Sequence, residues 1–269
     1  MKKYLSQKPI FVCFVILFSM TNCYFNPLVF DLLNPTEAKD NSTSLLSLTG
    51  FSNQATTVSI TGQIKKAGVA FANAEIKVVD SPLSLKKNQS NSSTTNSAGR
   101  FYLNISTGFA TLQFADAGTI VNIDINVTPF SATAISINNL NYQIQNLDVY
   151  EIGTEAPTYL ELVLSMPYDG MFIDDGNYSM ISSSFQFGFS EDIATPSDQF
   201  LWMTENFIIN PQIALQTPSI SKNNVTVILS GSVSQTTGYT LTLNSGIKSV
   251  TGKSIKPSTI QFIVGPLSL

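Results

Sequence analysis

From Ser184 to Ser190 the chain alternates, so Phe185, Phe187 and Phe189 share one side of an extended backbone. Successive side chains of a β-strand point to opposite faces, and three phenylalanines at this spacing make one apolar stripe that must be covered. The same period of two recurs along the chain. It predicts strands over Thr57–Lys65, Ala74–Val79, Gly99–Ile105, Ala110–Phe114, Thr119–Val127 and Ala134–Val149. After a break at Glu151–Pro157 it resumes over Tyr159–Ser165, Ser184–Ser190, Phe207–Ile209, Asn224–Leu229, Tyr239–Leu243 and Thr259–Val264. Lys66-Ala67-Gly68 and Pro167-Tyr168-Asp169-Gly170 read as turns. No stretch keeps a convincing helical period. Short strands with turn signals roughly every 8 to 12 residues predict an all-β chain. Two tandem β-sandwich domains are expected, over residues 57–150 and 156–266.

The first residues are of another kind. Lys2, Lys3 and Lys8 precede an unbroken apolar run from Ile10 to Phe18, followed by Ser19, Met20, Thr21, Asn22 and Cys23. A basic start, a short apolar run and a small-residue ending form a secretory signal. The run falls short of the roughly 18 residues that cross a bilayer as a helix. Met20-Thr21-Asn22-Cys23 resembles a lipobox in its relaxed, spirochaetal form, with Met20 and Asn22 where the strict pattern has Leu and Gly or Ala. That resemblance implies a signal peptide over residues 1–22, cleavage before Cys23, and acyl chains such as palmitate on Cys23. The chain has two cysteines, and Cys13 lies inside the segment to be removed. The mature chain would keep Cys23 alone, so it could form no internal disulfide. Residues 23–56 read as a lipidated, flexible tether, with an extended reach on the order of 100 Å.

Two further resemblances rest on particular residues. The first region carries Ile60-Thr61-Gly62-Gln63-Ile64, Ala72-Asn73-Ala74-Glu75-Ile76-Lys77-Val78 and Thr95-Asn96-Ser97-Ala98-Gly99-Arg100-Phe101. These pieces resemble the carboxypeptidase regulatory-like, or transthyretin-like, sandwiches. Their T-x-x-x-G-x-F turn needs positive φ, which Gly99 adopts cheaply. The second region carries Pro167-Tyr168-Asp169-Gly170, Phe185 to Ile193, Tyr239 to Leu243 and Gly246 to Lys253. It resembles bacterial Ig-like domains, with Ser249 and Lys253 where that family usually has Asp and Asn. Both families imply structural or binding modules and bring no catalytic residues.

Composition narrows the chemistry. The chain contains no histidine, which excludes Ser-His-Asp and Cys-His catalysis and most zinc sites. It has no phosphate-binding glycine loop of the P-loop or dinucleotide type. Adjacent acids at Glu191-Asp192 and Asp174-Asp175 could be drawn as a glycosidase pair, but adjacent exposed carboxylates are usually only solvated. No cofactor is expected. The nearest approach to a metal site is the carboxylate group Asp169, Asp174 and Asp175, for which calcium would be the ion, although the spacing departs from the D-x-[DN]-x-[DN]-G loop. Loss of Lys2, Lys3 and Lys8 leaves 11 basic against 18 acidic residues, a net charge near −7 that argues against nucleic acid.

The expectation is therefore a non-catalytic lipoprotein of the bacterial outer membrane, displayed on the cell surface and acting in binding or adhesion. Its partners would be the bilayer, through the Cys23 acyl chains, and a protein or matrix ligand on the sandwich loops. Loops 81–98 and 191–206 are the candidates, with Trp202 as an aromatic anchor. The alternative is a periplasmic-facing structural or accessory subunit of an envelope complex. A polysaccharide-active enzyme ranks below both.

Overall fold

The structure is a computed structural model that describes residues 56–80 and 91–268. The expected signal peptide, Cys23, the tether to residue 55 and the loop segment 81–90 lie outside the described residues. Strands account for 53% of the described residues, arranged in largely antiparallel sheets that stack as sandwiches. The all-β expectation holds.

The first sandwich sets two sheets face to face. One contains β1 (Thr57–Lys66) at its centre, flanked by β5 (Arg100–Ser106) and β9 (Tyr142–Tyr150), both antiparallel to it. The other has the order β4 (Ser92–Thr94), β3 (Glu75–Asp80), β6 (Gly108–Asp116), β7 (Thr119–Val127) and β8 (Ala132–Ile137). Ile60, Ile64, Phe101 and Leu103 from the first sheet meet Ile76, Leu112, Val121 and Ile123 from the second, all essentially sealed from solvent. Alternation puts these residues inward and Tyr102 and Asn104 outward, as the pleat requires. The turn before β5 follows its expected chemistry. Gly99 has φ +74°, and Asn96 Oδ1 accepts from the backbone N–H of Ala98 at 2.9 Å and of Arg100 at 3.0 Å.

The second sandwich stacks β10 (Leu162–Met166), β12 (Ser184–Phe189), β15 (Asn224–Ile228) and β14 (Ser219–Ser221) on a sheet ordered β11 (Met171–Ile173), β17 (Ser258–Val264), β16 (Thr237–Leu243) and β13 (Phe207–Asn210). Phe185, Phe187 and Phe189 all point inward and are at most 1% exposed. Phe185 meets Phe262 edge-on at 5.6 Å between ring centres, and Phe187 meets Phe207 at 5.0 Å. Burying three such rings contributes on the order of 5–9 kcal/mol relative to exposing them.

Two local expectations are corrected. The stretch Ala134–Val149 is two strands, β8 and β9, because Asn138–Asn141 makes a turn in which Asn139 Oδ1 accepts from the Asn141 N–H at 3.1 Å. A helix also interrupts the strands: α1 (Gln199–Asn206) is capped by Asp198, whose carboxylate accepts from the Leu201 N–H at 2.9 Å. Only Met203 and Asn206 of α1 are buried, so its sequence carries no apolar stripe.

The two cores are joined by backbone. A two-residue strand, β2 (Val69–Ala70), folds back on the end of β1, and its Val69 pairs with Leu164 of β10. The Ser165 N–H donates to Gly68 O at 3.0 Å. One eight-stranded sheet therefore runs through both sandwiches.

Candidate functional site

The junction of the sandwiches is polar and buried, which is unusual in a chain with 12% charged residues. Arg100 opens β5 in the first sandwich and Glu161 precedes β10 in the second. Arg100 Nε donates to Glu161 Oε1 at 2.6 Å, and the two residues are 2% and 5% exposed. Arg100 Nη1 donates to Thr61 Oγ1 at 3.0 Å, and Thr61 Oγ1 donates in turn to Phe101 O at 2.8 Å. Gln63 Nε2 donates to Ala98 O in its own sandwich and to Leu162 O across the junction, at 2.8 and 2.9 Å. Lys256 pairs with Asp148 at 2.5 Å, and Lys256 and Arg100 each lie 5.6 Å from the Tyr159 ring centre. Gln143 donates to the Asp169 carbonyl across the same junction.

Lys65 sits in the middle of this seam and is 2% exposed. Burial pushes its ammonium down to about 7, against the opposing pull of Glu161 and then Asp169. Gly68 is what lets the sandwiches approach so closely. Its φ is +79°, and a β-carbon there would sit 2.5 Å from Ser165 O and from Tyr168 Cβ.

The residues singled out in the sequence are dispersed. Asp169, Asp174 and Asp175 are each engaged with backbone: Asp169 Oδ1 accepts from the Gln261 N–H at 2.8 Å, Asp174 Oδ1 from Gly176 at 3.0 Å and Asp175 Oδ1 from Ser268 at 2.8 Å. Among the described residues no three His, Cys, Asp or Glu side chains gather as a metal site. Glu191 is tied to Lys253 Nζ and to Thr251 Oγ1, and these hydrogen bonds hold its carboxyl below the usual range. Asp192 offers its carbonyl to the Val250 N–H at 2.9 Å. Ser249 supplies a turn acceptor, taking the Lys253 N–H on Oγ at 3.1 Å. Trp202 packs edge-on against Phe207 at 5.5 Å and donates to Gly246 O at 3.2 Å, so its indole is spent within its own sandwich. The expected binding loop 191–206 contains α1, and Phe200 and Leu201 of that helix are 49% and 52% exposed.

The described residues also form two shallow, partly apolar grooves. One, of about 520 Å³, lies beside β13, the edge strand of its sheet among the described residues, and is lined by residues including Phe200, Phe207, Ile208 and Ile213. The other, of about 630 Å³, lies at the pole of the first sandwich where the described chain begins, and Thr57, Val58, Pro129, Phe130, Tyr150 and Ile152 line it. Phe130 there is 92% exposed. Nothing in the sequence singles it out, because Pro129-Phe130-Ser131 sits in a turn where no periodicity assigns a face.

Compared with family models and with curated proteins, the sequence shows no match to either. Among the described residues, no helix is long and apolar enough to cross a membrane.

Proposed function

We propose that this chain is a lipid-anchored envelope protein of a bacterium whose two-sandwich body is a rigid, non-catalytic module for binding or adhesion at the outer surface. The observation that carries the reading is Cys23: it follows a basic and apolar leader and is the single cysteine outside the run to be removed. The likeness of the two halves to carboxypeptidase regulatory-like and bacterial Ig-like modules agrees with it, and so does the absence of histidine from the whole chain. The buried seam supports a display role, since a module that holds a surface in place gains from having its halves fixed. Binding would fall to the outer sandwich, whose helix presents Phe200 and Leu201.

The test is the intact mass of the protein from its native membrane, together with protease treatment of whole cells. Acyl mass on a chain beginning at Cys23, with cleavage of the body on intact cells, is the expected result. A chain that carries no acyl mass refutes the anchor, and full protection from protease refutes surface display.

The second reading is a periplasmic-facing accessory subunit. The groove beside β13 favours it, because among the described residues that strand is the edge of its sheet, next to the exposed Ile208, 49% accessible, and a partner strand can add to such an edge. Stoichiometric co-purification with an envelope complex, lost on Ile208→Asp, would favour it over adhesion.

A further inference from the structure

The pole of the first sandwich where the chain enters is formed by four segments. Thr56 and Thr107 are bonded to one another, with Thr107 N–H donating to Thr56 O at 2.8 Å. Beside them lie the start of β6, the β7–β8 turn and the end of β9. Three large apolar side chains are exposed there: Phe130 at 92%, Phe109 at 68% and Ile152 at 49%. Among the groove-lining residues the one charged side chain is Glu151.

Phe130 is held out by a built turn. Thr128 N–H donates to Ser131 O at 2.8 Å, and Thr128 Oγ1 accepts from the backbone N–H of Phe130 at 3.3 Å and of Ser131 at 3.0 Å. Pro129 fixes its own φ between them. A phenyl ring on a stiff turn meets a partner with little ordering cost, and here it is 92% exposed. Phenylalanine on an exposed apolar face inserts at the boundary between headgroups and acyl chains.

We propose that this pole, tipped by Phe130, is a membrane-contact surface that rests in the interfacial layer of the bilayer holding the chain. The inference rests on the lipid-anchor reading above. What identifies a lipid surface as the occupant is the place where the chain enters. Residues 24–55 link Cys23 to this pole, and 32 residues reach on the order of 100 Å at full extension, so the tether lets the tip come down to the membrane. The second sandwich is attached at the other half of β1, through β2 and Gln63, and so stands on the far side from the tip. One ring and two apolar neighbours hold a free protein on a membrane only briefly. Tethering makes the contact intramolecular, which raises its effective concentration and lets a modest contact orient the body.

The experiment uses the lipidated full chain carrying Phe130→Trp, reconstituted in phosphatidylcholine vesicles with and without bromine on the acyl chains. The expected result is a blue-shifted emission from the introduced indole that brominated lipid quenches several-fold. The unaltered protein, whose single tryptophan is Trp202, serves as the reference and should show no quenching. Adding Ile152→Asp and Phe109→Asp to the Phe130→Trp chain should abolish the quenching. Solvent-like, unquenched emission from the introduced indole, on a chain whose acyl mass is confirmed, overturns the tip and leaves the anchor standing. A blue shift that grows with protein concentration and ignores bromine assigns the face to a second copy and also overturns it. If the acyl mass is missing, the anchor falls and the tethered tip, which rests on it, falls with it.

Discussion

Arg100 Nε lies 2.6 Å from Glu161 Oε1, an ion pair formed across 61 positions of sequence and sealed between two β-sandwiches. A buried pair of this kind contributes less than its Coulomb energy implies, because both charges are stripped of water. Its atoms are also incompletely satisfied: Arg100 Nη2 and Glu161 Oε2 are buried without a protein partner. Removing one member leaves a naked charge. Glu161→Ala or Arg100→Ala should each cost about 3–5 kcal/mol, read as a lower urea midpoint, whereas Arg100→Met with Glu161→Leu should come out near neutral or stabilising. Equal losses in the single and double variants would show that the pair holds the seam through something other than charge.

The same seam predicts cooperativity. Trp202 reports on the second sandwich, and far-ultraviolet dichroism reports on both. The two unfolding curves should superimpose in the unaltered protein, as for a two-state unit, and should separate in Glu161→Ala.

Lys65 predicts a dependence on pH. Its folded pKa of about 7 lies below the unfolded value near 10.4. Between these values the unfolded chain binds a proton that the folded chain does not, so this group makes stability rise with pH across that window. The part contributed is fully present above the unfolded pKa and is lost as pH falls through 7. The amplitude is on the order of several kcal/mol by the 1.4 kcal/mol-per-unit conversion. Lys65→Met should flatten the slope between pH 7 and 10, measured by chemical denaturation at fixed salt. An unchanged slope would mean the ammonium stays charged in the fold.

Gly68 and Gly118 form a matched pair. Their φ angles are +79° and +81°, but a β-carbon on Gly118 meets nothing within 4 Å, whereas on Gly68 it meets Ser165 O and Tyr168. Gly118→Ala should cost about 1–2 kcal/mol for the left-handed backbone alone. Gly68→Ala should cost clearly more and should loosen the seam, visible as faster hydrogen exchange at the Ser165 amide.

Lys253→Ala removes the partner of Glu191, and both side chains are partly solvated at 39% and 24% exposure. The expected loss is about 0–1 kcal/mol at neutral pH. Lys253 and Thr251 hold the Glu191 carboxyl below its ordinary range, so the contribution is present above the unfolded carboxylate pKa and fades as pH falls through the folded one. Urea midpoints of the two proteins should converge in acid.

Most strands are legible in the sequence because each buries one face. Phe185, Phe187 and Phe189 declare a strand by themselves, and the Thr95-to-Phe101 turn declares its glycine. The division of Ala134–Val149 is hidden because Asn138–Asn141 interrupts the alternation without a proline or glycine. Helix α1 is hidden because it buries too little to show a period; the acceptor at Asp198 is its single local signal. The seam is of another order. Arg100, Glu161, Lys65 and Gln63 come together only through the topology, and no spacing of residues along the chain foretells a pairing between strands of different sandwiches. The turn of Phe130 is illegible for the opposite reason, since exposure cannot be read where no face is defined.

The position of β2 decides how the body bears load. Thr57 and Tyr150 lie at the same pole, on antiparallel neighbours paired at Ser59 and Tyr150. A pull between them along the chain alone would open the β1–β9 ladder like a zip, one rung at a time. Because β2 and Gln63 grip the second sandwich at the opposite half of β1, traction on that sandwich runs along the length of β1 instead. The ladders on both sides of β1 are then sheared, with their rungs sharing the tension, and the body resists drag as a strut rather than peeling as a strap.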